Sequence, residues 1–341
     1  MKLSKPIALA FLFVVCFACE NNDLVSEDSL TELKAKDPIY MDLGNTMRTI
    51  KVKNKTNGLS KSANSSNASK SYDVELLKVE YITIGDGGEM GNIIFFKDLG
   101  NKMLGDDFVP GFSLDGTNNI SYSVDDSRPS DDLNILQTHN AINRAMNTWN
   151  DITCSDIGLF ERPNSGNSGW VAKYFSDLRI EDEDGNPIPV FVDEDGNALD
   201  FGGSYDYFAD VNHVGWMDAS FFDILAPGGS TFILGATFTL TFPGTDFDNN
   251  GKPDVAFREI YYNDNFPWND GNHYDVETIA LHEAGHGLSQ GHFGKAFLSR
   301  NNKVHFAPRA VMNASYSGIQ TTIDKTDMAG HCSNWSSWFN N

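Results

Sequence analysis

Cysteine is scarce in this 341-residue chain, which contains four cysteines. Two of them, Cys16 and Cys19, lie in the apolar N-terminal stretch, so only Cys154 and Cys332 belong to the rest of the chain. That leaves at most one disulfide in the mature protein. In an oxidising compartment a disulfide between Cys154 and Cys332 is expected, and two separate buried thiols are the alternative.

Basic residues are also few, because 25 lysines and arginines face 47 aspartates and glutamates and the formal net charge is −22. No cluster of Lys and Arg is present that could follow a phosphate backbone, which excludes nucleic acid as a partner. The acidic balance fits an exported, soluble protein that binds calcium. It fits a well-solvated acidic surface equally well.

The chain has no apolar run long enough to span a bilayer. The run from Ile7 to Ala18 is short and follows Lys2 and Lys5, which is typical of a targeting segment, and we predict residues 1–18 to be a signal peptide. A small residue before Cys19 resembles a bacterial lipoprotein cleavage box, in which Cys19 would be lipidated. Ordinary signal-peptidase cleavage nearby is the alternative. The protein is therefore expected to be exported, either secreted or held at the outer membrane or cell surface only by a lipid anchor.

The remaining chain divides by composition. Residues 19–71 are predicted to be a low-complexity tether, because their Ser-, Asn- and Lys-rich part has almost nothing to bury. Residues 72–114 carry β-rich runs on either side of a glycine-rich turn and are predicted to form a small β region. This region is either an inhibitory prosegment or an integral part of the fold, and it contains no cysteine that could bind a metal. Residues 115–341 are predicted to form the main domain.

Helical and strand patterns alternate in the main domain. An apolar stripe indicates an amphipathic helix and consists of Ile135, Ile142, Ala145, Trp149 and Ile152. Residues 120–124 and 230–242 are rich in β-forming residues. The predicted fold class is α+β.

An acidic stretch follows the second β-rich run. Asp246, Asp248 and Asn250 place oxygen atoms at alternate positions before a glycine, as in the first half of a calcium loop, and Asp254 lies just beyond. The bidentate Glu of an EF-hand is missing, because Phe257 stands in its place. A calcium site of another type and a plain acidic turn both remain open.

The motif that organises the chain lies between residues 282 and 292. His282 and His286 stand four residues apart, so both imidazoles project from one face of a helix, and Glu283 can face a water on a bound metal. His292 offers a third nitrogen once the chain turns back. The fourth position would be open to water or substrate, which marks a catalytic metal site rather than a structural one.

The residues after Glu283 limit which side chain can be the third ligand of the metal. The thermolysin type takes a Glu from a later helix as its third ligand, and no glutamate follows Glu283 in this chain. An aspartate-ligated type could use Asp324 or Asp327, but His292 is the better candidate.

These residues resemble the metzincin metalloproteases, and within them the matrixin branch, whose motif is HExxHxxGxxH followed by a methionine turn. Met312 resembles the methionine of that turn, and Tyr316 stands where matrixins carry a tyrosine in the wall of the specificity pocket. The resemblance implies a twisted mixed β-sheet, an active-site helix and a C-terminal helix.

Residues 234–238 are similar to the edge strand of the family, along which a peptide substrate lies in extended form. The resemblance therefore implies that substrate contacts Leu234, Gly235, Ala236 and Tyr316. One departure concerns the turn before the third histidine, where Ser289 replaces the family's glycine. A non-glycine residue with positive φ costs on the order of 1 kcal/mol, so the departure puts the geometry of this turn in question.

The activity implied by the resemblance is zinc-dependent endopeptidase, with a protein or peptide as substrate. Zinc on three neutral imidazoles would activate a water, and Glu283 would accept its proton as general base and return it to the leaving amine as general acid. The alternative is a non-catalytic, surface-anchored binding module that keeps the zinc fold.

Overall fold

The computed structural model describes residues 30–41, 50–54, 71–97, 105–109 and 118–338. The predicted signal peptide, residues 1–18, and the predicted lipidation site, Cys19, lie outside these ranges. Five α-helices and a large mixed sheet make the described part an α+β fold, the class predicted. None of the helices in these ranges is long and apolar enough to cross a membrane.

The helices are α1 (Ile135–Asn150), α2 (Trp170–Asp177), α3 (Ala219–Asp223), α4 (Val276–Gly287) and α5 (Lys325–Trp335). The strands are β1 (Thr31–Leu33), β2 (Ile39–Tyr40), β3 (Ile50–Asn54), β4 (Ser71–Thr83), β5 (Asn92–Phe95), β6 (Ile120–Val124), β7 (Leu159–Glu161), β8 (Arg179–Glu181), β9 (Pro187–Pro189), β10 (Asp206–Tyr207), β11 (Val211–Met217), β12 (Ile233–Thr241), β13 (Val255–Asn263), β14 (Lys295–Leu298) and β15 (Val304–Ala307).

The large sheet has the strand order β10-β3-β4-β12-β13-β11-β6-β7, and β5 pairs with β4 beside this path. Strands β7, β6, β11 and β13 run parallel to their neighbours in that series. Strand β12 is antiparallel to β13, and β4 is in turn antiparallel to β12. Strand β12 is therefore paired along both of its edges.

Helices α1 and α4 pack on one face of the sheet. Alternate residues of β13 point to opposite faces, so Ile260 and Tyr262 join the core under these helices while Tyr261 joins the core on the other face, with α2 and α3. Trp149 of α1 is fully buried, and its indole N–H donates to the carbonyl oxygen of Leu281 in α4 at 2.8 Å. This packing holds α4 against the centre of the sheet.

The predicted tether, residues 19–71, is not free of structure. Strand β1 pairs with β14, β2 pairs with β5, and β3 pairs with β4. The prediction was wrong for these three segments because exposed strand edges supply backbone partners to a polar segment whatever it can bury. The low-complexity residues 55–70 lie outside the described ranges.

The small β region predicted at residues 72–114 is likewise joined to the main domain. Its long strand β4 lies between β3 and β12 in the large sheet. The predicted boundary between residues 114 and 115 therefore does not separate two sheets in the described part of the chain.

A disulfide joins Cys154, just after α1, to Cys332 in α5. The two residues are 178 positions apart in the sequence, so the bond closes a loop of about half the chain.

Replacing both cysteines with serine should lower the free energy of unfolding by about 5 kcal/mol, because an open loop of this length regains much conformational entropy when it unfolds. Urea denaturation with and without a reductant measures the effect. Reductant should destabilise the natural chain and leave the double variant unchanged. Equal stability of the two oxidised proteins would show that the bond contributes nothing.

Candidate metal centre

Three imidazoles converge at the C-terminal end of α4. The helix begins at an N-cap, Asp275, whose carboxylate accepts a hydrogen bond from the backbone N–H of Thr278 at 2.8 Å. One turn near its end carries His282 and His286, and His292 returns from the following loop. The three Nε2 atoms form a nearly equilateral triangle with sides of 3.1, 3.1 and 3.2 Å.

Hydrogen bonds at the opposite ring nitrogens orient the two helical histidines. Nδ1 of His282 donates to the carbonyl oxygen of Val311, and Nδ1 of His286 donates to that of Gln290, each at 2.7 Å. These bonds leave both Nε2 atoms as acceptors that point into the triangle. Such second contacts are usual for histidines that bind metals.

Burial keeps the three imidazoles neutral. It lowers the pKa of His282 to about 3, and the neighbouring His292 lowers it further. Burial and a neighbouring histidine also hold the pKa values of His286 and His292 well below the usual range. Neutral imidazole is the form that binds a metal ion.

The triangle has the size that a metal ion requires. Tetrahedral coordination with metal–nitrogen bonds of about 2.0–2.1 Å places two nitrogens about 3.3–3.4 Å apart, close to the observed separations. His282, His286 and His292 could therefore hold one metal ion, as the sequence predicted.

The turn that returns His292 uses Ser289 in a left-handed conformation, with φ of 65°. The backbone N–H of Ser289 donates to the carbonyl of His286, and that of Gln290 donates to the carbonyl of Gly285, both at 3.0 Å. This pair of bonds is a Schellman motif, which usually carries glycine at the left-handed position. The turn for which the family uses glycine therefore forms here with Ser289 at the left-handed position.

Arg258, fully buried on β13, supports this turn. Its guanidinium donates to the carbonyl of Gly287 at 2.7 Å and to the hydroxyl of Ser289 at 3.0 Å, and it also pairs with Asp106. Lys78 of β4 joins the same cluster, 2.7 Å from Asp106. These contacts hold the strained serine in place.

Two substitutions at Ser289 distinguish the free-energy cost of its backbone strain from the contribution of its hydroxyl contact. Ser289→Gly and Ser289→Ala both lose the bond to Arg258, but only glycine adopts positive φ without strain. We expect the glycine variant to be more stable than the alanine variant by about 1 kcal/mol. Chemical denaturation of both proteins measures the difference. Equal stabilities would mean that the turn does not keep its left-handed residue.

Glu283 lies fully buried between α4 and β12. Its Oε2 atom accepts a hydrogen bond from the hydroxyl of Thr237 at 2.5 Å. A Cβ atom on Gly235 would come within 3.0 Å of the Glu283 side chain, so the glycine is what allows the strand to lie this close. Burial raises the pKa of Glu283 well above its usual range, against the opposing effect of Thr237.

Met312 packs beneath the histidines, where it contacts Gly285 of α4, and it is fully buried. Asp327, on α5, accepts hydrogen bonds from the backbone N–H groups of Val311 and Met312 at 2.8 and 3.0 Å. Because Val311 also orients His282, Asp327 supports the centre through this turn. Sequence reasoning assigned it no such role, since only the fold brings residue 327 to residue 311.

The expected edge strand is not an edge. Leu234, Gly235 and Ala236 lie in β12 between β13 and β4, and Leu234 and Ala236 are fully buried. The prediction that these residues face an open cleft is wrong for this structure, because the predicted small β region supplies a strand along that edge.

Tyr316 lies near the metal centre, and its predicted role in a substrate pocket stays a prediction. It lines a small cavity together with His282, Val311, Thr278 and Ile82. The last of these, on β4, was not among the residues singled out from the sequence.

The acidic loop after β12 brings oxygen atoms together. Carboxylate oxygens of Asp246, Asp248 and Asp254 lie within 4.8 Å of one another. Asn250 is turned to the same loop, and its side chain donates to Asp248 at 2.8 Å. The arrangement fits a calcium loop and a self-bonded acidic turn, and calcium stays a prediction.

If the loop binds calcium, millimolar Ca²⁺ should raise the melting temperature, because the ion would relieve repulsion among three carboxylates. Asp248→Asn should reduce that shift. Asp193→Asn is the matched control, since Asp193 accepts hydrogen bonds from Asp195 and Asn197 in a similar turn and lies outside the carboxylate cluster. An unchanged melting temperature in the natural protein would refute the prediction.

Comparison with known proteins gives no match, either to a family model or to a curated protein. The chemistry of the centre therefore has to be argued from its own residues.

Proposed function

We propose that this protein is a zinc-dependent endopeptidase of the metzincin type. The observation that carries the proposal is the triangle of three neutral imidazoles with Glu283 on the same helix turn. Among the described residues, no fourth His, Cys, Asp or Glu joins the three histidines as a candidate ligand. Three protein ligands are typical of catalytic zinc rather than structural zinc.

The surrounding fold supports the same proposal. A parallel series of strands ends in the antiparallel strand β12, α4 crosses behind it, and Met312 lies beneath the histidines. The mixed sheet, the helix that carries the histidines and the methionine near them agree with what the resemblance to metzincins implies, whereas β12 is not an edge strand here.

Each residue has a chemical task in the proposed mechanism. Zinc, when bound, would lower the pKa of a bound water to about 7 and polarise the carbonyl of the peptide. Glu283 would accept the water's proton on its carboxylate and donate it to the departing amine. Thr237 orients that carboxylate, and the cavity beside Tyr316 would receive a side chain of the substrate.

A non-catalytic binding module would need the histidines but not Glu283. Burial of a carboxyl group costs free energy, and a binding module would gain nothing from it. The presence of Glu283 beside the triangle therefore favours the enzyme.

We further propose that the protein is exported. The disulfide between Cys154 and Cys332 supports an oxidising compartment. Cleavage after residue 18 and lipidation of Cys19 belong to the same proposal.

Glu283→Gln should leave zinc bound in equimolar amount but reduce cleavage of a diverse peptide library by about 10²–10⁴-fold, because the general base is lost. Metal analysis and a peptide-cleavage assay on the zinc-loaded chain measure the two properties. Glu277→Gln is the control, since Glu277 lies on the same helix and pairs with Arg144 outside the triangle.

His292→Ala should abolish stoichiometric zinc binding. Equimolar zinc together with no cleavage by the natural protein or by its Ile82→Arg variant, in which the strand next to the histidines is displaced, would overturn the endopeptidase proposal.

A further inference from the structure

Three of the four side chains at the metal centre are closed to solvent. His282 and His286 are at most 1% exposed and Glu283 is 0% exposed, whereas His292 is half-buried. An endopeptidase must admit a peptide in extended form to these residues, so something fills the place where that peptide would lie.

The end of β4 fills it. Ile82 stands opposite Gly235, and Tyr81 stands opposite Ala236, in antiparallel register with β12. These are the positions of β12 that were expected to bind substrate.

The same strand also contacts the opposite wall. The carbonyl oxygen of Thr83 accepts a hydrogen bond from the backbone N–H of Tyr316 at 2.7 Å, and residues 83 and 315 form a parallel bridge. Strand β4 thus bonds through its backbone to both sides of the cleft, as an added peptide strand does.

One side chain occupies the pocket. Ile82 is 3% exposed and lines the cavity with Thr278, His282 and Tyr316.

The turn after β4 covers the open side of the triangle. The backbone N–H of Gly91 donates to the carbonyl of Ala314 at 2.6 Å. A Cβ atom on Gly91 would lie 3.0 Å from Cε1 of His292, so the backbone passes directly over this ring.

We infer that residues 80–83 are an intramolecular ligand of the peptide cleft, so that the full chain is a latent form. Ile82 takes the place of the substrate side chain, and the open cleft accepts peptides with an aliphatic residue at that position. This inference rests on the proposed endopeptidase function.

Ionic contacts hold this ligand in place. Lys78, on the same strand, pairs with Glu80 at 2.9 Å and with Asp106 at 2.7 Å, and all three side chains are largely buried. Release of the ligand therefore requires these pairs to separate or the strand to be cut. The N-terminal half of β4, which includes Val74 and Leu76, is buried in the core on the other face and belongs to the fold.

Ile82→Arg in the full chain should expel the end of β4, because a charged side chain cannot remain unpaired in this pocket. Loss of the buried isoleucine alone should raise the equilibrium constant for opening of the cleft by at least about tenfold. The zinc-loaded variant should cleave peptides correspondingly faster than the natural chain. Ile93→Arg is the matched control, because Ile93 lies on the neighbouring strand β5, outside the cavity, and is half-buried.

A second measurement does not depend on catalysis or on zinc. A fluorescent peptide with the sequence of residues 78–84 should bind the metal-free Ile82→Arg chain at least about tenfold more tightly than the natural chain. The same peptide with arginine in place of Ile82 should not bind. If Ile82→Arg fails to fold, Ile82→Ala provides the test and should show a smaller increase in the same direction.

The outcomes separate the two proposals. Natural and variant chains that bind the peptide equally would overturn the latent form, whether or not they cleave. Tighter binding by the variant with no cleavage by either zinc-loaded chain would support the occupied cleft and overturn the endopeptidase. Tighter binding together with faster cleavage supports both.

Discussion

The metal centre depends on one reversal of the chain, the turn between α4 and His292. Without it, the helix presents two imidazoles and the third stays in solvent. The reversal requires a left-handed residue at position 289, and serine occupies that position with φ of 65°. Buried Arg258 donates to the hydroxyl of Ser289 in the turn and to the carbonyl of Gly287, the last residue of the helix. The strain at one residue is thereby offset by a cluster that reaches from β13 to β4.

A second constraint is the close approach of α4 to β12. Gly235 has no side chain, and so Glu283 fits between helix and strand and bonds to Thr237. The turn that carries Met312 is fixed from another direction, by Asp327 on α5. The disulfide to Cys332 ties that helix to the end of α1. Helix, strand and turn thus converge on the three histidines from separate parts of the chain.

Strand β4 has two roles that its sequence does not distinguish. Its first half belongs to the large sheet and its core, whereas its last residues lie across the metal centre between β12 and residues 314–316. A strand that satisfies the backbone of both walls leaves no free edge for another peptide. The same hydrogen bonds that complete the sheet therefore close the site.

Local spacing predicted two of the three candidate metal ligands, because four residues on a helix bring His282 and His286 to one face whatever the rest of the chain does. Periodicity also predicted the stripe on α1, where Ile142, Ala145 and Trp149 are fully buried, but Ile135 at the first residue of the helix is 49% exposed. Other features were decided by contacts between distant residues. Whether β12 has an open edge depends on strand pairing, and the role of Asp327 depends on where α5 packs. Hydrogen bonding between strands joins residues that are far apart in sequence, and no local pattern records which partner a strand edge will find.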